Sequence, residues 1–212
     1  MQFKKTILAL AMFGIVGVFA STAKADIVVV TGVNNQGTSN VLLNPATDVL
    51  TVTGVVGPNN LVVNFESSSG SGLLNANPSG QATVSGGTGN TALTQLTFGL
   101  ANNDTFTRAV FNINASVGGS VEIHVEGINI DGGFFEDTFT VDANGQNFFT
   151  VTAINGQLMT SISLTAVNGA VFQDVRQVRL GGGDTVPEPA SMLLLGTGLL
   201  GAAAGLRKRF KK

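Results

Sequence analysis

The chain has 212 residues, 11% of them charged, with one histidine and no cysteine, tryptophan or tyrosine. Its formal net charge of −2 hides an asymmetry: residues 26–186 hold twelve acidic side chains against three arginines (Arg108, Arg176 and Arg179) and no lysine, a net charge of −9. That balance argues against nucleic acid or anionic lipid as a partner of this stretch, and the missing cysteines remove disulfides and thiol chemistry.

In chain order, Lys4 and Lys5 precede an apolar run from Thr6 to Ala20, and Ala23-Lys24-Ala25 puts small residues at −3 and −1. This is the form of a secretory signal peptide over residues 1–25, cut by signal peptidase after Ala25. The chain is therefore expected to be exported, with a mature protein starting at Asp26. The mean hydropathy of +0.33 is raised by this run and by a second one near the C-terminus, so it does not indicate a membrane fold.

Residues 26–180 are long enough for one domain with a real core. They are rich in Val, Thr, Ile, Phe, Asn, Ser and Gly, which suit pleated surfaces and tight turns. Strands are predicted near 27–33, 48–53, 61–66, 91–99, 106–115 and 120–130. Residues 67–90 read as loops with one short strand near 82–85. Ala109, Phe111 and Ile113 alternate, as do Val121, Ile123 and Val125, with Ile128 continuing that face past a break at Gly127. Asn144-Gly145, Asn155-Gly156 and Asn168-Gly169 accept the positive φ of two-residue hairpin turns. Their spacing predicts a meander of four consecutive strands, 134–142, 147–153, 157–166 and 170–180. About ten strands in one domain imply an all-β, antiparallel β-sandwich, jelly-roll-like; a β-solenoid would need a fixed internal period, and none is found.

Chemistry is sparse. A Ser-His-Asp arrangement would have to use His124, and no Gly-x-Ser-x-Gly elbow is present. Glu122, His124 and Glu126 share one face of a strand, but their spacing of roughly 6–7 Å is wide for one small ion, and a solvated polar face explains the same letters. Asp131, Glu136 and Asp137 lie in and after a turn and are weak candidates for a calcium site, which a solvated turn explains equally well. No other cofactor is expected. Paired carboxylates of a glycoside hydrolase meet only in three dimensions, but sugar clefts commonly present Trp or Tyr, which are missing here, and the fourteen phenylalanines alternate as core residues. The chain reads as no enzyme.

Gly181 to Val186 form a glycine-rich tether ahead of Pro187-Glu188-Pro189, then an uncharged run of seventeen residues over 190–206, then Arg207, Lys208, Arg209, Lys211 and Lys212. The run is just long enough for one transmembrane helix, and the cations should stay cytoplasmic, leaving the proline motif outside. Pro187 and Pro189 keep the backbone extended around Glu188. Residues 187–212 closely resemble the PEP-CTERM sorting signal of Gram-negative bacteria that make extracellular polysaccharide. The resemblance implies processing by exosortase, a transient inner-membrane anchor, and delivery to the cell surface or medium. Phe148–Ala153 and Val175–Leu180 also look like closing strands of other such surface proteins and of carbohydrate-binding-like jelly rolls.

The functional expectation is an exported, non-enzymatic surface or matrix protein associated with exopolysaccharide or biofilm. The alternative is a glycan-binding module, marked by a Phe- or Asn-lined groove; a matrix-modifying hydrolase ranks third. The net charge of −9 would repel an anionic polysaccharide unless a divalent cation bridged the two.

Overall fold

The computed structural model describes residues 27–67, 72–79, 82–89, 92–130, 133–143 and 145–182. The chain divides into two compact units, Met1–Gly182 and Gly183–Lys212. Every described residue lies in the first; the expected signal peptide at 1–25, the sorting signal and the expected span at 190–206 fall outside the described residues. Among those described, no helix is long and apolar enough to cross a membrane.

The described strands are β1 (Ile27–Thr31), β2 (Thr38–Asn40), β3 (Leu42–Leu43), β4 (Ala46–Val49), β5 (Thr51–Val56), β6 (Leu61–Glu66), β7 (Leu74–Asn77) and β8 (Thr83–Gly86). They continue with β9 (Gln95–Leu100), β10 (Arg108–Val117), β11 (Gly119–Ile128), β12 (Phe134–Val141), β13 (Asn147–Ala153), β14 (Leu158–Val167) and β15 (Val171–Gly181). Sheet A has the order β1-β13-β10-β15-β8-β7-β4, with β2 also paired to β15; sheet B has the order β12-β11-β14-β9-β6-β5-β3. The ladders between these strands are antiparallel. The all-β antiparallel sandwich expected from composition is the observed architecture, and the solenoid alternative is not.

The predicted meander over 134–180 is corrected. β12 pairs with β11, whereas β13 pairs with β1 and β10 in the other sheet. β14 returns to sheet B beside β11 and β9, and β15 returns to sheet A beside β10 and β8. Asn155-Gly156 and Asn168-Gly169 do take positive φ (56° and 86°, 52° and 82°), so the turn chemistry was legible. The strands on either side of each turn part onto opposite sheets, because both of their inward faces are apolar and must close one core. Within 67–90 the short strand expected near 82–85 is β8, and it pairs with an unexpected partner, β7, each only four residues long.

The core is a contact chain of phenylalanines. Phe65 stacks on Phe98 within sheet B at 5.8 Å, and Phe98 meets Phe111 of sheet A edge-on at 5.6 Å and 73°. Phe111 stacks on Phe149 at 5.8 Å, and Phe149 returns to sheet B through an edge contact with Phe139. Ala109, Ile113, Val121, Ile123 and Val125 fill the layers beside them, all fully buried. Each fully buried Phe of this kind contributes about 1.5–3 kcal/mol through removal from water. Ile128 departs from the expected alternation. A bulge between Glu126 and Gly127 turns Gly127 toward buried Met159 and leaves Ile128 half exposed, and Ile130 supplies the next buried apolar side chain.

Candidate functional site

Glu122, His124 and Glu126 point outward from sheet B, since their neighbours Val121, Ile123 and Val125 face the core. His124 Nδ1 lies 3.0 Å from Glu136 Oε2 on β12, its Nε2 lies 3.7 Å from Glu126 Oε1, and its ring stacks on Phe134 at 4.8 Å. Glu122 stands in the next row, opposite Thr138 and Thr165. Among the described residues, no group of three or more His, Asp or Glu side chains is arranged to hold a metal ion.

Glu136 and Asp137, adjacent on a strand, point to opposite faces. Asp137 is opposite the buried Ile123, and its Oδ1 accepts from the Thr138 N–H; Asp131 lies outside the described residues. The structure therefore does not bring Glu136 and Asp137 together on one side. Ser163 is the cross-strand neighbour of His124, but its Oγ pairs with Thr97 Oγ1 at 2.7 Å, so Ser163 is not linked to the imidazole.

The larger feature is on sheet A, where no residue had been singled out as a ligand site. After β1, residues Gly32 to Gly37 leave the sheet edge and cross over β13 and β10 to enter β2 on the far side of β15. The crossing is pinned by the Asn34 N–H donating to Thr150 Oγ1 (3.0 Å), Thr150 Oγ1–H donating to the Gly32 carbonyl (2.9 Å), and Arg108 Nη1 donating to the Gln36 carbonyl (2.7 Å). Beneath this strap, outward-facing Val110, Asn112 and Thr150 are almost wholly buried.

Beside the strap lies a depression of about 540 Å³, lined by Val33, Asn35, Asn40, Phe148, Gln177 and Arg179 among others. Leu42 and Val33, 64% and 52% exposed, form apolar rims. The floor depends on an irregularity in β15. Val110 pairs with Arg179 but Asn112 pairs with Arg176, so β15 carries one extra residue, and Gln177 has φ +56°. This bulge turns Val178 inward and Arg179 outward. A signal for it was present: Val175, Val178 and Leu180 break a strict period of two, and only an extra residue lets all three face the core.

Arg179 is held in a fixed pose. Its Nε donates to Thr38 Oγ1 at 3.1 Å, Nη1 to Asn40 Oδ1 at 2.6 Å, and Nη2 to the Thr38 carbonyl at 3.2 Å. Arg176 is engaged differently, gripping Asp174 with Nε–Oδ1 of 2.6 Å and Nη2–Oδ2 of 2.7 Å. That hydrogen-bonded fork, reinforced by the carboxylate charge, raises the Arg176 pKa although burial opposes it. Chemically, the described residues of the depression offer an aromatic face, three amides and one guanidinium, and none of them is a carboxylate.

Comparison with known proteins adds two findings. Residues 185–209 match the PEP-CTERM protein-sorting motif, so the resemblance drawn from Pro187-Glu188-Pro189 and the basic end holds. No curated protein matches the chain. Among solved structures, a variant of the family 29 carbohydrate-binding module CBM29-2 is similar at 14% identity, covering 70% of this chain and 96% of that one with a TM-score of 0.37. A second family 29 carbohydrate-binding module is 12% identical (78% and 97% covered, TM-score 0.34). The module CBM29_1 from Piromyces equi is 13% identical (76% and 95% covered, TM-score 0.30). At these values the likeness assigns no ligand or site to this chain.

Proposed function

We propose that this chain is an exported surface protein, sorted and processed by exosortase, whose β-sandwich is a non-catalytic module that holds extracellular polysaccharide. The sorting motif at 185–209 supports the delivery route. One observation carries the binding role: the sheet A depression sets Phe148 among the amides of Asn35, Asn40 and Gln177. An aromatic face suits the C–H side of a sugar ring, and amides both donate to and accept from hydroxyls. A lining whose described residues include no carboxylate supports binding over glycoside hydrolysis, which needs two acids flanking the bond.

Calcium bridging through the outward carboxylates of sheet B, Glu136 among them, is the competing way to hold a polysaccharide. Co-sedimentation of the secreted protein with the host's own exopolysaccharide, in calcium and in chelator, separates the two. Sedimentation that survives chelator supports direct recognition in the depression. Binding lost with calcium moves the contact to the carboxylates, and no binding in either condition rejects the polysaccharide role.

A further inference from the structure

The three described arginines and the described glutamates lie on opposite outer faces. Arg108, Arg176 and Arg179 all project from sheet A, whose strands also carry Asp48 and Asp174, whereas Glu66, Glu122, Glu126 and Glu136 project from sheet B. Arg176 is neutralised by Asp174. Arg108 and Arg179 form no salt bridge among the described residues; they donate to carbonyls, a hydroxyl and an amide oxygen. Two uncompensated guanidinium groups therefore stand on neighbouring strands of one face, in a domain that is otherwise acidic.

We propose that the sheet A depression recognises acidic sugar units, with Arg179 holding the carboxylate of a uronic acid against Phe148. The inference rests on the polysaccharide-binding reading and specifies its ligand class.

Three of the five N–H donors of Arg179 are used on Thr38 and Asn40, which leaves two for a ligand. The three bonds fix the plane of the fork, so little side-chain freedom is lost when a carboxylate arrives. Arg108 adds positive potential one strand away. Its Nε is buried without a hydrogen-bond partner, while its Nη1 secures the strap that forms one wall. The net charge of −9 over residues 26–186 does not forbid an anionic ligand at this face. Packed sheets lie about 10 Å apart, and exposed charges beyond about 8 Å are largely screened at physiological salt, so the glutamates of sheet B act weakly across the sandwich.

The test is calorimetric titration of the full-length chain in detergent micelles with a short oligomer of mannuronic acid and with a neutral oligoglucoside of equal length. The acidic oligomer is expected to bind more tightly. Arg179→Gln should weaken it about tenfold or more, the size of a lost charge-assisted hydrogen bond, and by a larger factor than it weakens the neutral oligomer, which feels only the loosened Thr38–Asn40 clamp. Val33→Asp is the second variant. Val33 is exposed and outside the Thr38–Asn40 clamp, so the fold should survive while the new carboxylate weakens acidic binding in the same direction. Equal affinity for both oligomers overturns the acid preference and leaves the polysaccharide reading standing. Acidic binding that neither variant changes overturns the assignment to Arg179. If neither oligomer binds the wild-type chain while the host exopolysaccharide still co-sediments, the uronic-acid assignment alone fails; if that also fails to sediment, the broader reading falls.

Discussion

Arg179 Nη1 donates to Asn40 Oδ1 at 2.6 Å, in register across the ladder that joins β15 to β2. This bond couples the shape of the depression to the docking of a three-residue strand. Asn40→Ala should cost about 1 kcal/mol, the net value of one such hydrogen bond. The Thr38–Asn40 amides should exchange faster in hydrogen-exchange measurements while the β10–β13 ladder stays protected.

The Phe98–Phe111 edge contact joins the two sheets, with both rings fully buried. Phe111→Ala should destabilise the domain by about 3–5 kcal/mol, because it removes apolar burial and leaves a cavity between rigid sheets. Chemical denaturation is the measurement. The double variant with Phe98→Ala should cost less than the sum of the two single ones.

Gly181 shows where close approach requires glycine. A Cβ built there would run into the Gly37 carbonyl oxygen, at the point where the strap enters β2. Gly181→Ala should lower stability by about 1–3 kcal/mol and release β2 first. Proteolysis should then begin within residues 32–40.

Asp137 is a carboxylate on the core-facing side of β12, an edge strand of sheet B, beside Phe135 and Phe139. An inward charge on an edge discourages strand-to-strand association. Asp137→Val should leave thermal stability equal or higher and raise the aggregated fraction seen by light scattering.

For sorting, Pro187→Ala combined with Glu188→Ala should leave the protein in the inner-membrane fraction, with surface and medium depleted on immunoblots. Normal release of the double variant would remove Pro187-Glu188-Pro189 as the recognition element.

Much of the architecture was readable because alternation survives wherever one face is buried, as at Ala109, Phe111 and Ile113 or Val121, Ile123 and Val125. Sheet membership was not readable. Asn-Gly turns look alike whether the flanking strands pair with each other or part onto two sheets, and the partners of β13 and β15 lie far away in sequence. The depression escaped for a related reason. Val33, Asn40, Phe148 and Arg179 come from three separated segments and meet only when the strap crosses sheet A. Glu122, His124 and Glu126 were legible as a solvated face, whereas the pairing of His124 with Glu136 required the β11–β12 register. The bulge at Gln177 lay in between: its pattern was present in Val175, Val178 and Leu180, but period-two reading passes over it.

The most direct measurement is a methyl-resolved NMR titration of the processed protein with the host's exopolysaccharide fragments in chelator. Val33 and Leu42 on the rim of the depression, the latter on edge strand β3, are the reporters, and Ile128 and Val62, exposed on strands β11 and β6, are the controls. The account expects Val33 and Leu42 to shift while Ile128 and Val62 stay in place. Shifts confined to Ile128 and Val62, or none at saturating fragment, would contradict it.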